Sequence, residues 1–514
     1  MPQYLSPGVY VEEVASSIQP IAGVGTSTAG FIGHVANDVK MPPVPGRFRR
    51  NTKDELVDEK GIVLAKDAPP VPLAYKVAEA GAPRLVTSWE SFKNQFGDIQ
   101  AANRVLAHAV YGFFNNGGTR CWVVRVAKSD TKTDPTNHVN TNAGSPTASV
   151  VHSAVGSAVS SVLSAIEART KSQTSLGTND TLTNTPKAQG GPEPTTEAEA
   201  EAEAGAGAEA EAEAEATAKA EADAKAQADA DAAAYAKAVG AALAAFEAID
   251  EIAIVAVPGS LDKAIQEAVV SHCERLGDRF AILDGNRGTT APEWTAKKIM
   301  VTTSKTKYAA LYFPWLVVFD PALGNLVVPP SGHVAGIYAR VDGERGVHKA
   351  PANERVRGAL GLEARLSRAD HDGLNPAGIN VIRDLNGAIT VWGARTLGGD
   401  DNGEWKHVNV RRLFLYLRQS IEEGTQWVVF EPNTQALWSK IARNVTAFLT
   451  GVWRSGALFG ATPAEAFYVR CDEHINPPDV REQGQVVTEI GVAVARPAEF
   501  VVFRISQWGG PGAA

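Results

Sequence analysis

The spacing of apolar residues predicts an α/β fold with alternating helices and strands. "AANRVLAHAVYGFFNNGG" (101–118) has the apolar period of a helix that ends at two glycines, and the strand pattern "CWVVRVA" (121–127) follows it. Further along, the apolar runs "EIAIVAVPG" and "RFAILDG" flank "LDKAIQEAVVSHCERLG", a helix that we expect Ser260 to cap and Gly277 to end. Strand–helix–strand units at this spacing predict a partly parallel sheet.

A second group of elements begins near residue 360. "INVIRDLNGAITVWGART" predicts two strands around a turn at Asn386-Gly387. "QWVVFE" (426–431) predicts a strand between two helices, and two further strand-forming runs close the chain around Arg496-Pro497. The first of these helices is "HVNVRRLFLYLRQSIEEG" and the second covers 433–453; the apolar face of the first consists of Val410, Leu413, Phe414, Leu417 and Ile421.

Both chain ends carry strand-forming stretches that have no partner nearby in the sequence. The first is "PGVYVEE" (7–13), in which Pro7-Gly8 precede the strand-forming residues; Ser16, Ser17 and Pro20 break the pattern behind it. An isolated strand leaves its N–H and C=O groups unpaired, so each end is expected to pair with a strand that is remote in the sequence or belongs to another molecule. The candidate strand residues are Val9, Tyr10, Val11 and Glu12 at the start and Phe500, Val501, Val502 and Phe503 at the end.

A low-complexity insertion interrupts the α/β pattern between residues 130 and 235. Its first half is rich in Ser, Thr, Asn and Gly, and its second half is an Ala/Glu repeat without an apolar stripe. Alanine and glutamate favour helix, but like charges four residues apart oppose it. We therefore expect residues 130–232 to be disordered or marginally helical, solvent-facing and peripheral. An acidic docking tail is the less favoured alternative.

The net charge of −9 comes from this insertion. The stretch 197–231 holds nine Glu, three Asp and two Lys, so the rest of the 514-residue chain is close to neutral. Neither a nucleic-acid-binding surface nor an acidic body is indicated. The sequence has no run of about 18 apolar residues and no signal-peptide pattern. Its three separated cysteines, Cys121, Cys273 and Cys471, fit a reducing compartment rather than a disulfide framework.

Catalytic and metal-binding signatures are weak. The strand–loop–helix turn "VPGSLD" (257–262) could offer N–H groups to a phosphate, but it has one glycine and is more typical of an ordinary βα turn. Cys471 and His474 have the spacing of metal ligands without a second pair. "RADHDG" (368–373) places carboxylates beside a histidine without a nucleophile. We expect no enzymatic activity, no cofactor and no metal.

The mixed-charge stretch "ARVDGERGVHKAPANERVRG" (339–358) is interpreted as a loop. Basic and acidic residues alternate in it, which is typical of a solvated loop or an ion-paired interface, and the two alternatives are equally favoured. Nucleic-acid binding would require a cleaner basic patch with aromatic residues. As an interface between subunits, its candidate residues are Arg340, Arg345, Lys349 and Arg355.

Six segments of the chain form a recognisable set. One is "SPGVYVEE" near the start, and five lie in the second half: 329–354 ("PPSGHVAGIYARVDGERGVHKAPANE"), 391–397 ("VWGARTL"), 404–433 ("EWKHVNVRRLFLYLRQSIEEGTQWVVFEPN"), 460–472 ("GATPAEAFYVRCD") and 496–507 ("RPAEFVVFRISQ"). These segments resemble the contractile tail sheath family, which surrounds the tube of contractile phage tails and phage-tail-like injection systems. The resemblance covers about 1–35 and 240–508, and the insertion has no counterpart.

The resemblance implies a domain arrangement. An N-terminal arm (1–25) precedes an outer α/β domain, which is formed by 26–129 and 236–358 around the insertion at 130–235. A C-terminal domain (359–498) faces the inner tube, and a C-terminal arm (499–514) follows it. The polar segment 476–485 supplies the candidate tube contacts Asp479, Arg481 and Glu482.

The resemblance also implies a function and partners. The arms are expected to add strands to the sheets of neighbouring subunits, so that the protein polymerises helically around an inner tube and contracts to drive it through an envelope. Expected partners are further copies of the chain, the tube protein, and baseplate and terminator proteins, without nucleic acid or membrane insertion. Synthesis and assembly are expected in the cytoplasm. An α/β Rossmann-like enzyme is the alternative, and it rests on the βαβ pattern alone.

Overall fold

A computed structural model describes residues 20–65, 68–127, 197–287, 294–500 and 502, with only the backbone for most of 197–221. Its strands are β1 (Ala29–His34), β2 (Pro43–Phe48), β3 (Pro72–Ala74), β4 (Arg84–Val86), β5 (Cys121–Val126), β6 (Ile254–Ala256), β7 (Phe280–Asp284), β8 (Ala309–Phe313), β9 (Leu316–Asp320), β10 (Gly324–Val328), β11 (Glu354–Arg355), β12 (Ala359–Leu362), β13 (Ile379–Leu385), β14 (Ala388–Val391), β15 (Phe467–Arg470) and β16 (Glu489–Val492).

The helices alternate with these strands, as the apolar pattern predicts. They are α1 (Trp89–Phe96), α2 (Arg104–Asn115), α3 (Glu197–Phe246), α4 (Lys263–Leu276), α5 (Ala296–Ile299), α6 (Ser331–Arg345), α7 (Arg368–Leu374), α8 (Val408–Gly424), α9 (Gln435–Arg454), α10 (Pro463–Ala466) and α11 (Pro478–Glu482). Three short 3₁₀ segments lie at Asn375–Ala377, Gly399–Trp405 and Gln426–Val428.

A nine-stranded sheet of order β11-β14-β13-β8-β7-β6-β1-β5-β4 forms the centre of the protein. Its inner strands from β13 to β5 are parallel, and β11, β14 and β4 add antiparallel pairs at the two edges. The predicted mixed α/β fold with a partly parallel sheet is therefore confirmed. Smaller antiparallel sheets are formed by β10-β9-β12, β15-β16 and β2-β3.

Helices cover both faces of the large sheet, because its central strands are apolar on both sides. Consecutive residues of β1 show this: Phe31 belongs to the core beneath α2 and α6, and Ile32 belongs to the core beneath α4 and the end of α3. The side chains of both residues are fully buried. The sheet also runs across the predicted domain boundary between residues 358 and 359, because β13 pairs with β8.

Helix α4 confirms one predicted terminus and corrects the other. Gly277 ends it in the left-handed conformation, with φ of 66°. The N-terminal cap is Asp262, whose carboxylate accepts from the N–H groups of Ala264 and Ile265. Ser260 is not the cap, because the helix begins two residues later than predicted and the serine hydroxyl lies buried.

The predicted hairpin at Asn386-Gly387 is confirmed, with φ of 55° and 82° at these two residues between β13 and β14. The strand predicted at 426–431 is wrong. Its backbone instead forms local turns after α8, where the N–H of Val429 donates to the carbonyl of Gln426 and that of Glu431 to Val428. The run has the composition of a strand, but in the described part of the chain it has no neighbouring strand to pair with.

The C-terminal part contains α8, α9, α10 and the β15-β16 sheet around a third apolar core. Leu413, Leu417, Leu437 and Leu449 lie in this core, together with Ile21 from near the start of the chain. Of the two strand runs predicted at the chain end, the first contains β16, and most of the second lies outside the described residues.

Part of the low-complexity insertion is helical. Residues 197–232 belong to α3, a helix of 50 residues. The described side chains between 222 and 230 are exposed, and buried residues begin at Val239. The segment 140–230 forms a unit by itself. The prediction for 130–196 lies outside the described residues. No helix in the described ranges has both the length and the apolar content to cross a membrane.

Candidate functional site

The two predicted arm strands differ in how far the structure describes them. Val9, Tyr10, Val11 and Glu12 lie outside the described residues, as do Val501 and Phe503. Phe500 and Val502 are described, and 73% and 76% of these two residues is exposed. Two large apolar residues, spaced as on one face of a strand, therefore lie open to solvent at the chain end.

In the part of the chain that the structure describes, the β15-β16 sheet consists of two strands. Phe467 pairs with Val492 and Arg470 with Glu489, in antiparallel register. Phe467 packs into the third core, while Tyr468 points outward and donates its hydroxyl to Glu489 at 2.8 Å. Within the described ranges neither strand has a ladder partner on its outer side, so both edges offer unpaired backbone groups.

A bidentate ion pair holds the C-terminal segment immediately before its exposed apolar residues. The guanidinium of Arg395 donates to both carboxylate oxygens of Glu499 at 3.0 and 2.7 Å. Burial opposes a charge on Glu499, but the hydrogen bonds and positive charge of Arg395 outweigh burial and lower the pKa of the carboxyl group. Sequence reasoning missed this pair, because its members are 104 residues apart.

The start of the described chain is held by a second buried ion pair that sequence reasoning also missed. Arg412 donates to Asp342 at 2.6 and 2.9 Å, and Thr26 donates its hydroxyl to the same carboxylate at 2.6 Å. Both charged side chains are only 4% exposed. An arginine within an amphipathic helix, close to its apolar face, was the one available signal in the sequence.

The predicted tube-contact residues lie on or beside α11, a helix of five residues. Asp479 and Glu482 are exposed. Arg481 is half-buried, and its guanidinium lies 5.9 Å from the ring centre of Trp438. The three charges therefore lie together on the surface, and Arg481 also contributes to packing.

The interpretation of 339–358 as a single loop is wrong, because its first seven residues are the end of α6 and Glu354–Arg355 form β11. Arg340 is 8% exposed and donates to the carbonyls of Asn116 and Arg355, so its guanidinium is hydrogen-bonded within its own chain. Lys349 pairs with Glu354 at 2.7 Å. Arg345 and Arg355 are exposed, and their place in a subunit interface stays a prediction.

The turn at 257–262 already binds an internal carboxylate. Asp284, at the end of β7, accepts from the N–H of Gly259 at 2.9 Å and from the N–H and hydroxyl of Ser331 at 2.9 and 2.7 Å. Burial raises the pKa of Asp284 to about 6. These donors are therefore not free to bind a phosphate, and the ordinary βα turn is the better interpretation.

The other two weak motifs have structural surroundings. The thiol of Cys471 is half-buried, and no group of three His, Cys, Asp or Glu in the described ranges could hold a metal ion. In 368–373, Asp370 forms a reciprocal capping box with Ser367 at the start of α7. Its carboxylate is thereby occupied in helix capping.

Family models and known proteins match this chain. The model for the phage tail sheath protein central domain matches residues 228–397, and that for the phage tail sheath C-terminal domain matches 400–507. A prophage protein of Pseudomonas aeruginosa (strain UCBPP-PA14), described as a major tail sheath protein, is 27% identical over 47% of this chain and 63% of its own length. The tail sheath protein of Vibrio phage KVP40 is 29% identical over 34% of this chain and 26% of its own length.

Solved structures share the fold over nearly the full length. The helical sheath of the anti-feeding prophage in its contracted state has a TM-score of 0.58 and 23% identity, with 98% of this chain and 99% of that chain covered. The contracted sheath complex of the extracellular contractile injection system PVC has a TM-score of 0.56 and 22% identity, with 99% of each chain covered.

The fold is thus that of contractile sheath subunits. The two family models together span more than half of the chain, and the chain belongs to the phage tail sheath protein family. The chain aligns with less than two thirds of the length of the two curated relatives named above.

Proposed function

We propose that the chain is a structural subunit of a contractile sheath, which polymerises helically around an inner tube and contracts to drive that tube through a target envelope. The observation that carries the proposal is the β15-β16 sheet, both of whose edges are open among the described residues. It lies in a member of the tail sheath family in which Phe500 and Val502 are exposed. Such edges accept added strands by β-augmentation.

Strand exchange explains why both chain ends carry strand-forming residues with no partner nearby in the sequence. A strand of about five residues added to β15 or β16 of a neighbour could form roughly four hydrogen bonds, each worth about 0.5–1.5 kcal/mol net. Apolar side chains on one face of the arm would cover the recipient sheet. These hydrogen bonds would hold the link between two subunits while their other contacts change.

Head-to-tail strand exchange also explains how the subunits form a filament. A heterologous contact whose rotation does not close generates an open helix rather than a ring. Contraction is then a change between two packings of the same subunits, downhill from the extended one. Contraction then requires no external energy source if the energy is stored during assembly.

The proposed partners are further copies of the chain, an inner tube protein, and baseplate and terminator proteins. One structural neighbour comes from the baseplate of the anti-feeding prophage, which supports the baseplate proposal. Synthesis and assembly are proposed to take place in the cytoplasm, and the product to be part of a phage tail or a phage-tail-like particle.

Negative-stain electron microscopy of the purified full-length protein tests the proposal. Hollow, striated cylinders are expected. Uniform small particles at all concentrations would contradict the sheath proposal and favour the α/β enzyme.

Removal of the insertion is expected to leave assembly intact. Replacing residues 140–230 with a short Gly/Ser linker removes a unit whose described side chains are exposed, while the buried part of α3 from Val239 onward is kept. Soluble yield and cylinder formation are measured against the unmodified protein. Loss of either would show that the segment is not peripheral.

Charge reversal at Arg481 is expected to weaken binding to the tube. Arg481→Glu changes the sign of a charge between the exposed Asp479 and Glu482, and co-sedimentation with purified tube measures the effect. Because Arg481 also packs near Trp438, thermal unfolding of the subunit is measured in parallel. Arg454→Glu, which changes an exposed arginine in the last turn of α9, is the matched control. Unchanged co-sedimentation of Arg481→Glu would exclude this segment as the contact.

A further inference from the structure

One face of α8 carries a stripe of four residues with a spacing of four: Arg412, Tyr416, Ser420 and Gly424. Residues this far apart are neighbours on a helix surface. The segment 21–26 contacts all four members of the stripe and runs in the opposite direction to the helix.

The contacts are distributed along the whole stripe. Ile21 packs on Gly424, where an added Cβ would lie 2.6 Å from the isoleucine side chain. Gly23 lies against Tyr416, and the N–H of Val24 donates to the hydroxyl of Ser420 at 3.1 Å. The contacts therefore require small residues on both sides of this interface.

The stripe ends in the buried ion pair at Arg412. The carbonyl of Thr26 accepts from Arg412 at 2.9 Å, and Arg412 also lies 4.6 Å from the ring centre of Tyr338 on α6. Two residues later, the carbonyl of Thr28 accepts from the N–H groups of Ala253 and Ile254, and the chain enters β1, the third strand from one edge of the nine-stranded sheet. The root of the N-terminal arm is thus fixed to α8 and to the sheet together.

The root of the C-terminal arm lies at the opposite end of the same helix. His407 is the N-cap residue of α8 and forms a β-bridge with Arg395, which holds Glu499. The Nδ1 atom of His407 lies 3.4 Å from Glu499 Oε1. The exposed Phe500 follows directly.

We propose that α8 is a rigid crossbar between the two arms of one subunit. Its 17 residues span about 25 Å, with Glu499 clamped near the first turn and Ile21 packed near the last. Displacement of one arm by a neighbour would move the other arm and the sheet as one body, so contraction would pass from subunit to subunit. This inference rests on the proposed strand exchange between sheath subunits.

Two pairs of variants test the crossbar. Gly23→Ala places a methyl group in steric conflict with the Tyr416 hydroxyl, whereas Gly25→Ala, two residues away, places it in open space. Glu499→Gln removes the charge that Arg395 clamps, whereas Asp400→Asn changes a second partner of the same guanidinium, 3.0 Å away, that is not part of the arm. Ser420→Ala, which removes the acceptor of the Val24 N–H without a clash, replaces Gly23→Ala if the latter does not fold.

Sheaths of the full-length variants are assembled around tube, exposed to mild denaturant as a trigger, and scored by electron microscopy as extended or contracted. Gly23→Ala and Glu499→Gln are expected to assemble but to stay extended or to contract in patches, with both control variants like wild type. Full contraction of both Gly23→Ala and Glu499→Gln would overturn the crossbar. Loss of assembly in both variants, with an unchanged unfolding temperature, would overturn it as well. A wild-type protein that forms no cylinders would refute the sheath proposal itself.

Discussion

Replacing Val11 with proline is expected to abolish cylinder formation and to leave the subunit folded. Proline removes a backbone N–H donor and does not fit the interior of a strand ladder. If Val9 to Glu12 form a strand on a neighbour's sheet, every link in the filament loses part of its hydrogen bonding at once. Cylinder counts by electron microscopy and thermal unfolding of the isolated subunit measure the two effects separately.

Ser17→Pro is the matched control for this variant. It makes the same kind of substitution in 14–20, the stretch that joins the candidate strand to the described chain and that we call the tether. No ladder hydrogen bond is predicted there. Cylinders should form normally. Normal assembly of Val11→Pro would remove the strand-donation argument altogether.

Insertion of three residues after Ser17 is expected to give sheaths that assemble but fail to contract. Ile21 packs in the third core and anchors the end of the tether. The seven residues 14–20 can span at most about 25 Å when fully extended. Three more residues add up to roughly 10 Å of slack. The strand can still dock, but one subunit can then move without pulling the next. Extended and contracted sheaths are counted before and after a trigger such as mild denaturant.

The same three residues inserted between Met1 and Pro2 are the control. They lie ahead of the strand and add no slack between the strand and its root. Contraction should be normal in this control. Normal contraction of the variant with the insertion after Ser17 would refute the role of the tether.

Local sequence patterns predicted those parts of the fold that local physics determines. The Asn386-Gly387 hairpin, the left-handed Gly277 and the amphipathic α8 each follow from residues within a few positions of one another. The prediction failed at 426–431, where strand-forming residues have no partner strand in the described part of the chain and turn on themselves instead. Composition shows that a segment is able to form a strand, and the presence of an adjacent strand to pair with determines whether the strand forms.

The roots of the arms could not be predicted in this way. Arg395 and Glu499 meet across 104 residues, and Thr26 meets Arg412 across 386. Neither pair appears as a local sequence motif, because its two residues meet only after the nine-stranded sheet and α8 have folded. For the same reason the sequence offered Arg340 as an interface residue, whereas the fold buries it against the carbonyl of Asn116. The apolar, strand-forming composition of 500–503 is visible in the sequence, and its pairing with a neighbouring subunit stays a prediction.

Strand exchange between subunits is tested by a helical cryo-electron microscopy reconstruction of the assembled sheath, at a resolution that separates strands. We expect β15 and β16 to be flanked by added strands, traced to residues 9–12 of one neighbouring copy and 500–503 of another. Bare edges on this sheet, or arms that fold back onto their own subunit, would contradict it.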